Sequence, residues 1–208
     1  MARPETEPSA ADDTRRLVRA ARNGDGDSFA RLYARIAPSL HGWAELRVRP
    51  ALRPLLDPSD VVQEVWFRAW RAIGELDPDR VPFRRWLFRV AKNVLLEAFR
   101  KARSPAFRAG ATGLTTRLFV LEGVPDSVTA VSQRLARDEG LSRLVEWVRG
   151  LDEGDRALVV HCGLEGLTFA EVGARLQLTR DVVAKRWQRL RERLAGQKLP
   201  REILSAVG

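Results

Sequence analysis

The chain has 208 residues, with 36 Lys and Arg against 27 Asp and Glu, and a formal net charge of +9. Its single cysteine, Cys162, excludes an intrachain disulfide and fits a reducing compartment. There is no run of about eighteen apolar residues to span a membrane, and the opening MARPETEPSAADD lacks the basic-then-apolar pattern of a secretory signal, so the expected location is cytoplasmic.

Residues 1–13 read as a polar, disordered tail. Asp12–Ile36 reads as helix, with Phe29, Leu32, Tyr33 and Ile36 on one stripe; the break at Asn23-Gly-Asp-Gly-Asp divides it in two. Pro38, Pro50 and Pro54 bracket a stretch of weaker helical signal, and Ser39–Arg49 is open to either reading. Asp57 and Pro58 supply an N-cap and a first helical residue. The helix they start, Pro58–Ile73, places Val62, Val65, Trp66, Ala69, Trp70 and Ile73 on one face. Asp60, Glu64, Arg68 and Arg71 lie on the other, and Gly74 and Pro78 end it.

Phe83–Arg103 is the first of two strongly basic amphipathic helices. Leu87, Val90, Ala91, Val94 and Ala98 are expected inward, with Arg85, Arg89, Lys92 and Arg100 opposite. Ser104-Pro105 stops the helix, and residues 105–127, rich in Gly and Thr, read as a linker. A second helical set begins near Val128, with Leu141, Leu144, Val145, Val148 and Leu151 as its apolar stripe. Asp152 or Asp155 caps the next helix, and Gly163 and Gly166 break the chain after it.

Thr168-Phe-Ala-Glu171 is a capping box. The short helix after it, a turn at Gln177-Leu178 and a basic helix capped by Thr179 match the DNA-binding helix-turn-helix pattern. Val182, Val183, Trp187 and Leu190 are expected inward; Gln177 occupies the position where a positive φ would favour glycine. Arg84–Arg103 holds seven Lys and Arg against one acid, and Thr179–Arg201 eight against two, so the rest of the chain is net acidic. Charge gathered in two places is the footprint of a protein that holds a polyanion at two sites.

The segments DPSDVVQEVWFRAWRAI from Asp57 and FRRWLFRVAKNVLLEAFRKAR from Phe83 resemble region two of the extracytoplasmic-function (ECF) sigma factors of the sigma-70 family. GLTFAEVGARLQLTRDVVAKRWQRLRERL resembles their region four. The resemblance implies an all-α protein of two small helical domains, residues 14–104 and 128–208, the second carrying the helix-turn-helix. It implies a subunit that binds core RNA polymerase and directs promoter-specific initiation, with promoter DNA and an anti-sigma factor as further partners. Asp60, Gln63, Glu64 and Arg68 are then the core-polymerase contacts. Arg85, Trp86, Arg89, Lys92, Asn93, Arg100 and Lys101 would serve the minus-ten element, with Trp86 read as core packing before base stacking. Thr179, Arg180, Lys185, Arg186, Gln188 and Arg189 would serve the minus-thirty-five element. Where many members carry Thr-Val-Lys-Ser-Arg, this chain has Val182-Val-Ala-Lys-Arg186.

No catalytic residue, metal or cofactor is expected. His41 and His161 lack metal-ligand spacing, and Gly110-Ala-Thr-Gly113 lacks the Lys-Ser/Thr of a phosphate loop. The alternative function is a stand-alone helix-turn-helix regulator, which would bind its operator without polymerase.

Overall fold

The computed structural model describes residues 10–54, 56–102 and 138–197, and the regular structure among them is entirely helical. The 105–127 linker and the start near Val128 lie outside these residues. Ala10–Arg22 forms α1, whose first turn already includes Asp12 and Asp13. The NGDGD break is a tight turn with Gly24 at φ +88°, after which the Asp25 carboxylate accepts from the backbone of Asp27 and Ser28 to start α2, Gly26–Arg47.

The structure resolves the open reading of Ser39–Arg49, because α2 runs straight through Pro38. A mid-helix proline forfeits one backbone hydrogen bond. Here the buried stripe of Phe29, Leu32, Tyr33 and Ile36 continues in phase through Leu40, Trp43 and Ala44, so tertiary packing holds the helix on both sides of the defect.

A 3₁₀ turn at Pro50–Leu52 leads to α3, Pro58–Ala72, with Pro58 in its first turn and Asp57 Oδ1 accepting from Ser59 N at 2.7 Å. Val61, Val62, Val65, Trp66 and Ala69 are buried against α2, and Trp70 is half-buried. The rings interlock: Phe29 meets Trp66 and Trp70 edge-on at 5.8 and 4.7 Å, and Tyr33 lies 4.6 Å from Trp66. Such pairs add about 0.5–1.5 kcal/mol each beyond the area they bury. α4, Phe83–Ala102, closes this half. It buries Leu87, Phe88, Ala91, Val94, Leu95 and Ala98, while Val90 is only half-buried.

In the C-terminal half α5 spans Glu139–Arg149 and α6 spans Glu153–Leu158, capped by Asp152 rather than Asp155. α6 passes into a π-helical turn, Val159–Leu164, in which Glu165 N–H reaches the carbonyl of Val160 at 2.9 Å. Gly163 lies inside that turn and does not break the chain; Gly166, at φ +68°, does. The last pair is α7, Phe169–Leu176, and α8, Arg180–Ala195. α2 packs against both α5 and the π turn, so the halves touch through the longest helix.

Candidate nucleic-acid interface

The helix-turn-helix is built from local chemistry. Thr168 and Glu171 form the full capping box, with Thr168 N donating to Glu171 Oε2 at 2.9 Å and Glu171 N donating to Thr168 Oγ1 at 3.3 Å. Gln177 ends α7 at φ +56°, in the left-handed region. The turn then folds so tightly over α7 that a Cβ on Gly173 would sit 2.5 Å from the Leu178 carbonyl oxygen. Thr179 Oγ1 accepts from Val182 N and starts α8.

Val183, Trp187, Leu190 and Leu194 bury one face of α8. Val182, expected inward, is 40 % exposed, because the short α7 covers only one side of α8's first turn. Thr179, Arg180, Lys185, Gln188 and Arg189 are exposed together with it. Gln188 donates to Glu192 at 3.2 Å, and Arg180 lies a loose 3.9 Å from Asp181. Arg186 is placed differently. Its guanidinium points back to the nearly buried Asp155 of α6 at 2.8 Å, and Arg193 holds the other oxygen of that carboxylate at 2.7 Å. Asp155 thereby ties α8 to α6.

On α4, Arg89, Asn93, Arg100 and Lys101 are exposed. Trp86 is half-buried, with its ring 5.8 Å from Phe83. Arg85 and Lys92 are engaged by the C-terminal half: Arg85 pairs with Glu171, and Lys92 Nζ lies 2.7 Å from Glu165 Oε2. Their neighbour Arg84 donates to the Leu164 carbonyl at 2.7 Å and to Ser39 Oγ at 2.6 Å. Burial pushes the Arg84 guanidinium down to about 10.

α3 presents Gln63 to solvent. Glu64 is bound to Arg68 at 2.6 Å, and Arg68 reaches across to Glu97 of α4 at 2.8 Å. Asp60 is half-buried, and its Oδ2 has no hydrogen-bond partner. Burial and the neighbouring Asp57 both push its carboxyl above the usual range.

The sequence reading missed Glu165, which is 0 % exposed and lies at the junction of the halves. Its Oε1 accepts from Trp43 Nε1 at 3.0 Å and Arg47 at 3.1 Å; its Oε2 faces Lys92 Nζ and His161 Nδ1, the latter at 3.0 Å. Burial alone would raise its pKa. The hydrogen bonds from His161 and Lys92 outweigh that and hold the carboxylate down at about 2. Only the spacing of His161 and Glu165 was visible in the sequence; Trp43 is 122 positions from Glu165. Among the described residues no cluster of His, Cys, Asp and Glu could hold a metal, and no helix is long and apolar enough to cross a membrane.

A chain whose described residues are helical and include a capped helix-turn-helix, with a second cationic helix on the other half, belongs to the class of DNA-binding transcription proteins. Residues 32–104 match the model of the sigma-70 region 2 family. The chain is 33% identical over 185 residues to the RNA polymerase sigma factor CnrH of Cupriavidus metallidurans, covering 88% of this chain and 93% of that one. It is 26% identical to the ECF RNA polymerase sigma factor SigW of Bacillus subtilis, over 88% of this chain and 95% of that one. A solved structure of CnrH in complex with the cytosolic domain of CnrY matches with a TM-score of 0.46 and 26% identity, over 89% of this chain and 97% of that one. The chain belongs to the sigma-70 family of RNA polymerase sigma factors, in its extracytoplasmic-function group, and directs transcription initiation.

Proposed function

We propose that this sigma factor divides its work between the two halves. α3 docks on core RNA polymerase through Asp60, Gln63, Glu64 and Arg68. α4 takes the minus-ten element through Arg85, Arg89, Lys92, Asn93, Arg100 and Lys101, with Trp86 at the edge of the core. α8 takes the minus-thirty-five element through Thr179, Arg180, Lys185, Gln188 and Arg189, with Arg186 set behind this row. Residues 14–104 and 128–208 act as the two domains, joined by the linker at 105–127. The protein works in the cytoplasm, without cofactor or catalysis of its own. The 33%-identical relative CnrH has been solved with the cytosolic domain of CnrY, and an anti-sigma factor is the corresponding candidate partner here.

One observation carries this reading: α4 exposes Arg89, Arg100 and Lys101, and α8 exposes Arg180, Lys185 and Arg189 on a helix-turn-helix. Two such rows suit one polyanion gripped at two places. The unpartnered, desolvated Asp60 oxygen supports the α3 assignment, since an interface can supply the donor that the free chain lacks.

Core dependence is the test. The chain should direct run-off transcription only together with core polymerase, and the double reversal Asp60→Lys, Glu64→Lys should weaken capture by core while helicity is retained. Specific operator binding without core, together with capture unchanged by the double reversal, would favour the stand-alone regulator.

A further inference from the structure

We infer that Val182 is a base-reading residue of α8, and that it reads the C5-methyl group of a thymine in the major groove of the minus-thirty-five element. This rests on the proposed docking of α8 and deepens it, because that docking otherwise uses cations, an amide and a hydroxyl, with no apolar reader.

Among the described residues two large hydrophobic side chains are exposed, Val182 at 40 % and Leu96 at 53 %. A lone exposed apolar residue is ordinary and calls for no explanation by itself. These two are set apart by their neighbours. Leu96 lies at helical spacing from Arg89, Asn93 and Arg100 on α4, and Val182 from Thr179, Lys185 and Arg189 on α8. Each interrupts a row of exposed polar and basic side chains. Cations at that spacing bring a phosphate backbone to the helix and leave the apolar residue between them facing the groove. A duplex offers a helix in its major groove one apolar group, the methyl of thymine, so Val182 has a definite counterpart there.

The local geometry holds Val182 ready for that contact. Its backbone N–H donates to Thr179 Oγ1 at 3.3 Å, which places it in the first turn of α8, the part of a recognition helix that meets base edges. Val183 and Trp187 are buried, and they fix the roll of α8 about its axis and with it the direction of Val182. A β-branched side chain in a helix keeps essentially one rotamer, so its methyl groups are set in place before DNA arrives and lose little entropy on contact. Lys185 stands three residues on, about 4.5 Å along the helix axis. Successive bases of one strand are about 3.4 Å apart, so the thymine lies within about two base pairs of the group that Lys185 takes. Val182 is among the positions at which this chain departs from Thr-Val-Lys-Ser-Arg, and the reading therefore belongs to this chain.

The experiment uses the full chain with core polymerase, on promoters selected from genomic fragments by run-off transcription. Each thymine of the minus-thirty-five element, on either strand, is replaced in turn by deoxyuridine. That change removes the methyl and leaves every hydrogen-bonding group in place, so it tests the unsubstituted chain. One such replacement should weaken promoter binding in competition by about fourfold, the worth of one buried methyl group. Val182→Ala should bind the thymine promoter more weakly by a similar factor and no longer distinguish thymine from uracil at that position. Alanine on an exposed helix position keeps the helix, and the salt slope of this variant should equal that of the parent. Lys185→Ala should do the reverse, keeping the preference for thymine while its slope falls by about 0.9, the increment for one phosphate of a duplex. An element in which no thymine is sensitive to loss of its methyl, or a sensitivity that survives in Val182→Ala, would overturn the inference. Failure of the proposed docking of α8 reads out separately, as transcription indifferent to scrambling of the whole minus-thirty-five element.

Discussion

Arg186 offers a direct contest between a structural and a DNA-reading role. In the sequence it sits beside Lys185 on the second basic helix, where a DNA contact is the natural reading. In the structure its guanidinium is 2.8 Å from Asp155, which also holds Arg193 at 2.7 Å. Hydrogen bonds to charged groups are worth about 1.5–3 kcal/mol each. The arginines are 35 % and 53 % exposed and the Asp155 side chain 13 %, so solvent screening brings each bond to about 1 kcal/mol. Asp155→Ala should therefore cost the C-terminal half about 2 kcal/mol, a fall in Tm of roughly 10 °C for a unit of this size, and Arg186→Ala about half of that. In a double-mutant cycle the pair should show a coupling of about 1 kcal/mol. The assay is chemical unfolding of the two single variants and the double, alongside run-off transcription on templates with intact and scrambled upstream elements. If Arg186 is structural, its loss lowers stability and output on both templates in proportion. A coupling near zero, combined with loss of discrimination between the templates, would refute the reasoning and return Arg186 to the DNA.

Three further outcomes follow from single positions. Gln177→Gly should stabilise the C-terminal half by about 1 kcal/mol, because the backbone at φ +56° disfavours any residue with a Cβ; an unchanged midpoint in urea would count against that strain. Gly173→Ala should destabilise the same half by about 1–3 kcal/mol, since the new methyl would meet the Leu178 carbonyl oxygen at 2.5 Å, and thermal melts of the two variants should move in opposite directions. His41 is buried, and burial lowers its pKa from 6.5 to about 4 against a small opposing effect of Asp57. The folded state therefore prefers the neutral ring, so stability is full above pH 6.5 and is lost as the pH falls from 6.5 to 4, by about 3 kcal/mol in all. Denaturant midpoints of the parent and His41→Gln across that window should diverge, and parallel curves would show that His41 is not the source.

The sequence declared what is decided within one turn of helix. Asp57 with Pro58, Thr168 with Glu171, and the Gln177 turn are short-range hydrogen-bond chemistry, and the structure places them where the pattern does. Apolar stripes located the first half of α2, and α3, α4, α5 and α8. Pro38 left Ser39–Arg49 open, because the packing that carries α2 past it comes from α3, α5 and the π turn. Val182 misled in the same way, as helical phase cannot say how far a neighbouring helix extends. The partners of Glu165 and Asp155 were out of reach for a different reason. Apart from His161, they come from elements between 31 and 122 positions away, and no periodicity encodes which acid finds which base across a fold. For the same reason the basic faces were legible as charge, but the division of their cations between DNA, Asp155 and Glu165 was not.

The π turn at Val159–Leu164 has a bearing on how this chain can vary. A π turn carries one residue more than the α-helical turn it replaces, and each residue of an α-helix advances the face by about 100°. That additional residue sets the direction in which Glu165 leaves α6. Deleting one residue within this turn would let the helix relax into ordinary α geometry with a more regular ladder of backbone bonds, yet it would swing the carboxylate away from Trp43, Arg47 and Lys92. A length change of one residue would thus leave a folded C-terminal half that no longer grips its neighbour. Most insertions and deletions trade away foldedness; at this position a lineage could gain or lose communication between its halves while keeping both of them intact.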